Sequence, residues 1–290
     1  MLDGFEAFDI TTTGTTIHGR RGGDGPPVLL LHGIPETHGM WHRVAPQLAD
    51  HFTVVATDLR GFGKSGTPPS TPDHAPYSMR EIARDQTEVM HALGFEQFSV
   101  VGHDRGGRCA YRMALDQPGA VTRLAVLDIV PTGEAFRRAD MDFSLGFWVW
   151  SFLAADEPVP EELIARAPDV LVDHMLDAWS DDGDVFPAEI RAEYIANFSA
   201  PERIHAICEE YRAAATLDYE DDEADRGKRR ITCPTLALWS ATGSVAAWYE
   251  PLEVWKAWAD DVSGGPISAG HFIPEEAPDE TTRRLVHFLG

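Results

Sequence analysis

Residues 98–108, which read FSVVGHDRGGR, constrain the fold of this chain more than any other stretch. An apolar run predicts a buried strand, the Gly102-x-Asp104-x-Gly106 spacing predicts a tight turn, and a helix is expected to start near Arg105. The two glycines let the backbone of such a turn pack closely. Asp104 is then held above the sheet at a helix N-terminus, where backbone N–H groups and the helix dipole favour an anion. Its carboxylate could cap the helix or act as a nucleophile.

Apolar runs alternate with helical patterns along the rest of the chain. Continuous apolar runs indicate strands covered on both faces, and their alternation with helices indicates a mostly parallel sheet. Ser78, with Glu81 three residues on, predicts the start of a helix that stops at Gly94. The prediction is an α/β fold with an eight-stranded sheet and helices on both of its faces. The expected strands cover residues 5–10, 15–19, 27–31, 52–58, 98–102, 124–128, 235–239 and 266–268.

A different texture after Pro131 predicts an inserted domain. Residues 134–213 contain several tryptophans and many acidic side chains, but no run that resembles a buried strand. We therefore expect a helical cap over residues 134–213 and a core formed by residues 1–133 and 214–290. The charged stretch 220–230 is expected to be a solvated connector.

Charge and composition argue against several classes of function. A formal net charge of −23 disfavours a nucleic-acid partner and a polybasic membrane contact. The three cysteines lack C-x-x-C spacing, which disfavours disulfides and cysteine-bound zinc and fits a reducing compartment. The first residues show neither a basic signal region nor a long apolar run, so we expect a cytoplasmic protein that acts on a small molecule.

Two further residues are predicted to join Asp104, because parallel strands bring their carboxyl ends to one edge of the sheet. His271 lies in a Gly-His-Phe loop between the last strand and the last helix, a position typical of a catalytic base. The stretch 240–245, where the orienting acid is usual, contains no carboxylate. Asp128, one strand earlier, is therefore expected to orient His271 and stabilise its imidazolium. The alternative is that Asp128 only caps a turn.

An aspartate nucleophile predicts a reaction at saturated carbon. The carboxylate of Asp104 would attack in line, expel a leaving group and become an alkyl ester, which water activated by His271 then hydrolyses. The oxyanion formed on Asp104 needs backbone donors, for which we expect the N–H groups of Ile34 and Arg105. Carbon–halogen cleavage and epoxide opening both use this chemistry. Neither needs a metal or an organic cofactor, and none is predicted.

Two arginines beside the nucleophile favour an anionic substrate. Arg105 and Arg108 lie one and four positions after Asp104, at a helix N-terminus that prefers anions over cations. Two guanidinium groups at such a place can hold a substrate carboxylate in bidentate fashion. The alternative is that one of them pairs with an acidic side chain of a cap or loop.

Four motifs resemble the fluoroacetate (haloacetate) dehalogenases of the α/β-hydrolase superfamily. They are GHDRGGR at 102–108, HGIPETHGMW at 32–41, LDIVPT at 127–132 and GHFIPEEAP at 270–278, and the similarity runs nearly end to end. The resemblance implies an α/β-hydrolase fold, a haloacid substrate and the roles described above for the two aspartates, the histidine and the two arginines. It also implies that Trp150 and Tyr211 hydrogen-bond the leaving halide and that the protein is a homodimer.

The sequence departs from this family at one cap position. Val149 stands where the family has a halide-binding histidine, which removes one donor. Fluoride most needs such donors, so we expect faster release of chloride or bromide, with a cost to fluoride on the order of a few kcal/mol. The indole of Trp148 could replace the missing donor. The residues expected to line the pocket are His32, Trp148, Val149 and Trp179.

Two other functions stay open from the sequence. An epoxide hydrolase shares the aspartate nucleophile and uses two cap tyrosines, for which Tyr211 and Tyr194 are candidates. Arg105, Arg108 and the missing carboxylate after Trp239 argue against it. The other possibility is a small-acid binding protein without catalysis, against which the intact set of two aspartates and a histidine argues.

Overall fold

A computed structural model of the chain describes residues 2–290, which form an eight-stranded sheet surrounded by helices. The strands are β1 (Glu6–Thr11), β2 (Thr16–Gly22), β3 (Pro27–Leu31), β4 (Thr53–Thr57), β5 (Phe98–His103), β6 (Val121–Leu127), β7 (Thr235–Ser240) and β8 (Val262–Ile267). Their order is β1-β2-β4-β3-β5-β6-β7-β8. β2 runs antiparallel to β1 and to β4, and the remaining neighbours pair in parallel. The predicted fold class is confirmed.

Burial explains why these segments form strands. Every residue of β4 and β5 is buried, and so is every residue of β3 after the first. Such apolar runs need a cover on both faces of the sheet. β1 instead alternates exposed and half-buried side chains, as expected of an edge strand. The centre of the sheet, β3 and β5, therefore lies deepest, and its carboxyl ends carry the site.

The core helices connect these strands. Helix α2 (Met79–Ala92) begins at Ser78, whose hydroxyl accepts from the N–H of Glu81, as predicted. Helix α3 (Asp104–Asp116) follows β5 directly and packs on β3, β5 and β6. No helix within residues 2–290 combines the length and apolar character needed to cross a membrane. The other core helices are α1 (Ala45–Leu48), α12 (Ser244–Trp248), α13 (Pro251–Trp258), α14 (Ile273–Glu276) and α15 (Pro278–Leu289), with 3-10 turns at His38–Arg43 and Ala75–Tyr77.

The segment between β6 and β7 is helical. The described residues of this segment contain α4 (Thr132–Arg137), α5 (Met141–Gly146), α6 (Trp148–Leu153), α7 (Val159–Arg166), α8 (Pro168–Trp179), α9 (Ala188–Asn197), α10 (Pro201–Ala213) and α11 (Tyr219–Asp225), a 3-10 turn at Gly183–Val185 and a π-helical turn at Ala214–Asp218. This helical run begins and ends slightly outside the predicted cap, 134–213. The domain limits stay a prediction, and residue 1 of the predicted core lies outside the described residues.

The expectation that residues 220–230 form a solvated connector is wrong for two of their acids. Asp222 and Asp225 are buried, and they bind the guanidinium group of Arg112 on α3 at 2.7 and 2.6 Å. A buried arginine needs counter-charges and hydrogen-bond acceptors, because its desolvation is otherwise costly. These two carboxylates therefore fasten the end of the helical insertion to the helix that carries Asp104.

Candidate active site

The turn between β5 and α3 holds Asp104 in a strained backbone conformation. Its φ of +44° lies in the left-handed region, which is uncommon for a non-glycine residue and often marks a functional site. The flanking glycines are needed for space. A Cβ at Gly102 would lie 2.2 Å from the oxygen of Gly106, and a Cβ at Gly106 would lie 2.4 Å from the oxygen of Leu31. The sequence pattern thus gives the sharp turn that was predicted.

The carboxylate of Asp104 is buried yet anionic. The backbone N–H of Ile34, on the loop after β3, donates to its Oδ1 at 3.0 Å. Burial alone would raise the pKa of Asp104, but the surrounding positive groups, His271 and Arg108 first and then His103 and Arg105, together hold this pKa below its ordinary value. Asp104 therefore has the ionisation state that a nucleophile requires.

His32 supports the loop that carries Ile34, and it does not line the cavity, so that prediction is wrong. Its Nε2 accepts from the N–H of Leu59 at 3.0 Å, and its Nδ1–H donates to the carbonyl of Gly33 at 2.8 Å. Burial lowers the pKa of His32 and favours this neutral form. The ring of His32 lies in the protein interior. Because both of its nitrogens bind backbone groups, it fixes the loop.

His271 and Asp128 meet as the strand order predicted. Nδ1 of His271 lies 2.7 Å from Oδ2 of Asp128, and Nε2 of His271 lies 3.9 Å from Oδ2 of Asp104. Asp128 also has a left-handed φ, +54°. Its other oxygen, Oδ1, accepts from the N–H of Ser240 at 2.9 Å. The imidazole of His271 therefore lies between the carboxylates of Asp128 and Asp104.

His103 is buried beside this pair, and its sequence position alone gave it no predicted role. Nε2–H of His103 donates to the backbone carbonyl of His271 at 2.8 Å, and Nδ1–H donates to the carboxylate of Glu36 at 2.9 Å. Burial would lower the pKa of His103, but the Glu36 carboxylate outweighs it and raises this pKa to about 9. His103 is thus an imidazolium at neutral pH, and it binds the backbone of the His271 loop. Glu36 lies in the HGIPE motif, where its burial could have been suspected.

Arg105 makes a buried ion pair through only one of its nitrogens. Nε donates to Glu210 of α10 at 2.8 Å. Arg105 therefore pairs with an acidic side chain, which was the alternative to substrate binding, but it does so through Nε alone. Both terminal nitrogens are buried and have no hydrogen-bond partner among residues 2–290. The guanidinium carbon lies 4.5 Å from the centre of the Tyr211 ring. The charge of Arg105 is balanced by Glu210, while its two terminal nitrogens have no hydrogen-bond partner among residues 2–290.

Arg108 faces the cavity from the next turn of α3. Its NH1 group donates to the carbonyl of Val130 at 3.0 Å and approaches Thr132 Oγ1 at 3.3 Å, whereas its buried Nε has no partner in the described part of the chain. The guanidinium carbon lies 4.4 Å from the centre of the Trp150 ring. Each arginine is thus covered by one aromatic ring of the cap.

A cavity of about 250 Å³ lies between the core and the helical insertion. Asp104, Arg108 and His271 line it, whereas Arg105 is buried behind its wall. Its aromatic wall consists of Phe147, Trp150, Trp179 and Tyr211, and small residues, among them Gly146, Ala178, Ser180 and Gly243, form much of the remainder. Trp150, Trp179 and Tyr211 thus lie at the cavity, and their roles stay predictions.

Trp148 and Val149 do not line this cavity, which corrects the prediction. Trp148 lies in a separate apolar groove, with its ring centre 5.6 Å from that of His174. Val149 is fully buried in the core of the insertion. Successive helical residues point about 100° apart, because a turn takes 3.6 residues. Of the three neighbours on α6, Trp150 is therefore the one that faces the nucleophile.

An acid on the sharp turn after the central strand, served by a histidine behind the last strand, is the layout of the α/β hydrolases. The chain belongs to that family, since the family model for the alpha/beta hydrolase fold matches residues 26–278.

Two curated relatives and one solved structure show which members of this family the chain is similar to. The chain is 43% identical to the fluoroacetate dehalogenase of Burkholderia sp, over 100% of this chain and 95% of that protein. It is 30% identical to the soluble epoxide hydrolase of Corynebacterium sp. (strain C12), over 91% and 90% of the two chains. A crystal structure from Nostoc sp PCC 7120, provisionally described as an alpha/beta hydrolase, matches with a TM-score of 0.98 and 49% identity, over 100% and 99% of the chains. The resemblance stated from the motifs and the interpretation as a hydrolase are confirmed.

Proposed function

We propose that this protein hydrolyses short 2-haloacids, converting a haloacetate into glycolate and a halide ion. The observation that carries the proposal is the pair of buried guanidinium groups beside a buried carboxylate nucleophile. Three of their nitrogens, two on Arg105 and one on Arg108, lack partners among the described residues. A buried donor without an acceptor costs about 1–3 kcal/mol, so a substrate carboxylate is favoured there. The similarity to a fluoroacetate dehalogenase supports the same class of substrate.

The first step is a displacement at the carbon that bears the halogen. One oxygen of Asp104 bonds to that carbon, and the carbon–halogen bond breaks as the halide leaves with the electron pair. Oδ1 is held by the Ile34 N–H, so we assign the attack to Oδ2. Oδ1 then becomes the carbonyl oxygen of the alkyl ester. Trp150 and Tyr211, whose ring centres lie 6.2 Å apart, are the proposed halide donors.

The second step hydrolyses the ester. A water oxygen bonds to the carboxyl carbon of Asp104, and its proton passes to Nε2 of His271. The N–H groups of Ile34 and Arg105 stabilise the oxyanion, and each such donor contributes on the order of 10²–10³ in rate. The bond from this carbon to the alkyl oxygen then breaks, and His271 returns the proton to glycolate. The regenerated carboxyl group of Asp104 ionises and releases one proton.

The epoxide alternative loses one of its two candidate acids. Tyr194 is fully buried, and its hydroxyl donates to Glu275 at 3.1 Å, away from the cavity. Tyr211 does line the cavity. Since epoxide opening in this chemistry uses a pair of tyrosines, the described residues favour an anionic haloacid over a neutral epoxide. The proposed cytoplasmic location and homodimer stay predictions.

The proposal is tested by halide release from fluoroacetate, chloroacetate and bromoacetate, with Asp104→Asn as the blank. We expect release of chloride and bromide by the wild-type protein and none by the variant. A single turnover in ¹⁸O-labelled water should place the label on Asp104 and leave the first glycolate unlabelled. Label in that glycolate would overturn the ester mechanism, and hydrolysis of styrene oxide without halide release from any haloacid would favour the epoxide reading.

A further inference from the structure

The loop that carries His271 is held by one carboxylate, that of Glu276. Oε2 of Glu276 accepts from the N–H of Gly270 at 2.9 Å, and Oε1 accepts from the N–H of Phe272 at 3.0 Å. The two residues that flank His271 are therefore bound to the same side chain. Oε2 also accepts from the N–H of Asp181, in the helical insertion, at 2.8 Å. Glu276 thus connects the histidine loop with the insertion.

The insertion makes a direct bond to the same loop. The backbone N–H of His271 donates to the carbonyl of Trp179 at 2.8 Å, and the Trp179 ring stands edge-on to the His271 ring with centres 5.7 Å apart. The close approach requires a glycine at 270, where a Cβ would lie 2.5 Å from the nitrogen of Asp181. The N–H groups of three successive residues are thus all bound. Those of Gly270 and Phe272 donate to Glu276, and that of His271 donates to the insertion.

We propose that Glu276 is a positioning residue that places His271 for ester hydrolysis only while the turn at residues 179–181 is docked on the histidine loop. The proposal rests on the proposed function, in which His271 acts in the second step alone. The imidazole is fixed at Nδ1 by Asp128, and its distance to the ester is then set by the backbone of its loop. Loss of Glu276 therefore slows ester hydrolysis and leaves the displacement step intact.

The test compares the two steps in Glu276→Gln and Glu276→Ala. Glutamine keeps one acceptor oxygen but turns an NH₂ group toward at least one backbone N–H, whereas alanine removes all three hydrogen bonds. We expect halide release in the first turnover to stay within about twofold of wild type. Ester hydrolysis should fall about 10-fold in the glutamine variant and about 100-fold in the alanine variant, as expected when hydrogen bonds to a charged group are lost. Intact-protein mass spectrometry should show the carboxymethyl ester accumulating during turnover of chloroacetate.

Two further variants separate positioning from a general loss of stability. Glu280→Gln removes the same charge from α15, where this side chain, within residues 2–290, pairs only with Arg283 and Arg284, and should behave as wild type. Gly270→Ala keeps the Glu276 carboxylate in the chain, but its Cβ would crowd both the nitrogen of Asp181 and Oε1 of Glu276, so this variant should also accumulate ester. Equal slowing of both steps without ester, or unchanged hydrolysis, overturns the proposal. Absence of halide release by the wild-type protein overturns the proposed function, and this proposal with it.

Discussion

The backbone N–H of Ser240 donates to Oδ1 of Asp128 at 2.9 Å. Ser240 ends β7, the strand after which this sequence lacks the usual carboxylate. The other oxygen of Asp128 lies 2.7 Å from Nδ1 of His271. β7 carries no acid after its end, but its last residue, Ser240, provides the N–H group that fixes Asp128 at the end of β6.

Asp128→Asn should stop turnover while leaving the first step intact. The change removes the charge that stabilises the imidazolium of His271, and kcat should fall about 10⁴-fold, as for the acid of a Ser–His–Asp set. The displacement by Asp104 does not use His271, so a burst of one halide per site should remain. Rapid-quench halide measurements with chloroacetate test this. If the burst disappears together with turnover, Asp128 does more than orient the base.

His103 should make the stability of the protein depend on pH. The folded state raises the pKa of His103 to about 9, from an ordinary 6.5, so its contribution to stability is complete below pH 6.5 and is lost as the pH rises through 9. A shift of this size corresponds to about 3 kcal/mol. Urea unfolding of wild type and His103→Gln between about pH 6 and pH 10 gives the difference in unfolding free energy, which should shrink with rising pH. A constant difference would contradict the charged His103–Glu36 pair.

Arg108→Lys should weaken substrate binding in a charge-dependent way. Lysine keeps the charge but loses the planar set of donors and the contact of a guanidinium group with Trp150. We expect kcat/KM for chloroacetate to fall about 10- to 100-fold, mainly through KM. Chloroacetamide, which has no carboxylate, is the control substrate, and its kcat/KM should change by no more than about twofold. Equal losses for both substrates would place Arg108 outside carboxylate binding.

The absence of a donor at position 149 should limit the release of fluoride, although Val149 itself does not line the cavity. With one donor fewer, the wild-type protein should turn over chloroacetate at least about 10-fold faster than fluoroacetate. Val149→His adds an N–H donor on a longer side chain and should reduce this ratio, at a cost of about 1–3 kcal/mol of stability for a larger side chain at this fully buried position. Val149→Leu enlarges the side chain without adding a donor and is the matched control. Identical ratios in the two variants would show that the family's histidine is not what fluoride requires.

The proximity of Asp104, Asp128 and His271 was predictable because each of them follows a strand. A parallel sheet brings the carboxyl ends of its strands to one edge, so Asp104, Asp128 and the loop of His271 had to lie close together. Strand order could not predict which of Trp148, Val149 and Trp150 lines the cavity. They are neighbours on one helix, and only the docking of that helix decides which of them reaches the cavity.

The contacts that Glu210 and Glu276 make through the helical insertion could not be predicted from the sequence. Glu210 lies 105 positions from Arg105, and the ion pair between them forms only because the fold brings a side chain of α10 to the first turn of α3. Glu276 belongs to a motif that was noted, but the three N–H groups it binds come from two distant parts of the chain. Their backbone donors are the same in every residue type, so no pattern of side chains reveals them.

The sequence by itself determined the α/β architecture, the position of Asp104 on its sharp turn and the chain order of Asp104, Asp128 and His271. Periodicity and glycine spacing are local properties, and they suffice to place a residue at the end of a strand. Only the tertiary structure decided which donors face the cavity, how the charge of Arg105 is balanced, and what holds the histidine loop. These depend on how the insertion packs on the sheet, which results from many weak, long-range contacts that no short stretch of sequence encodes.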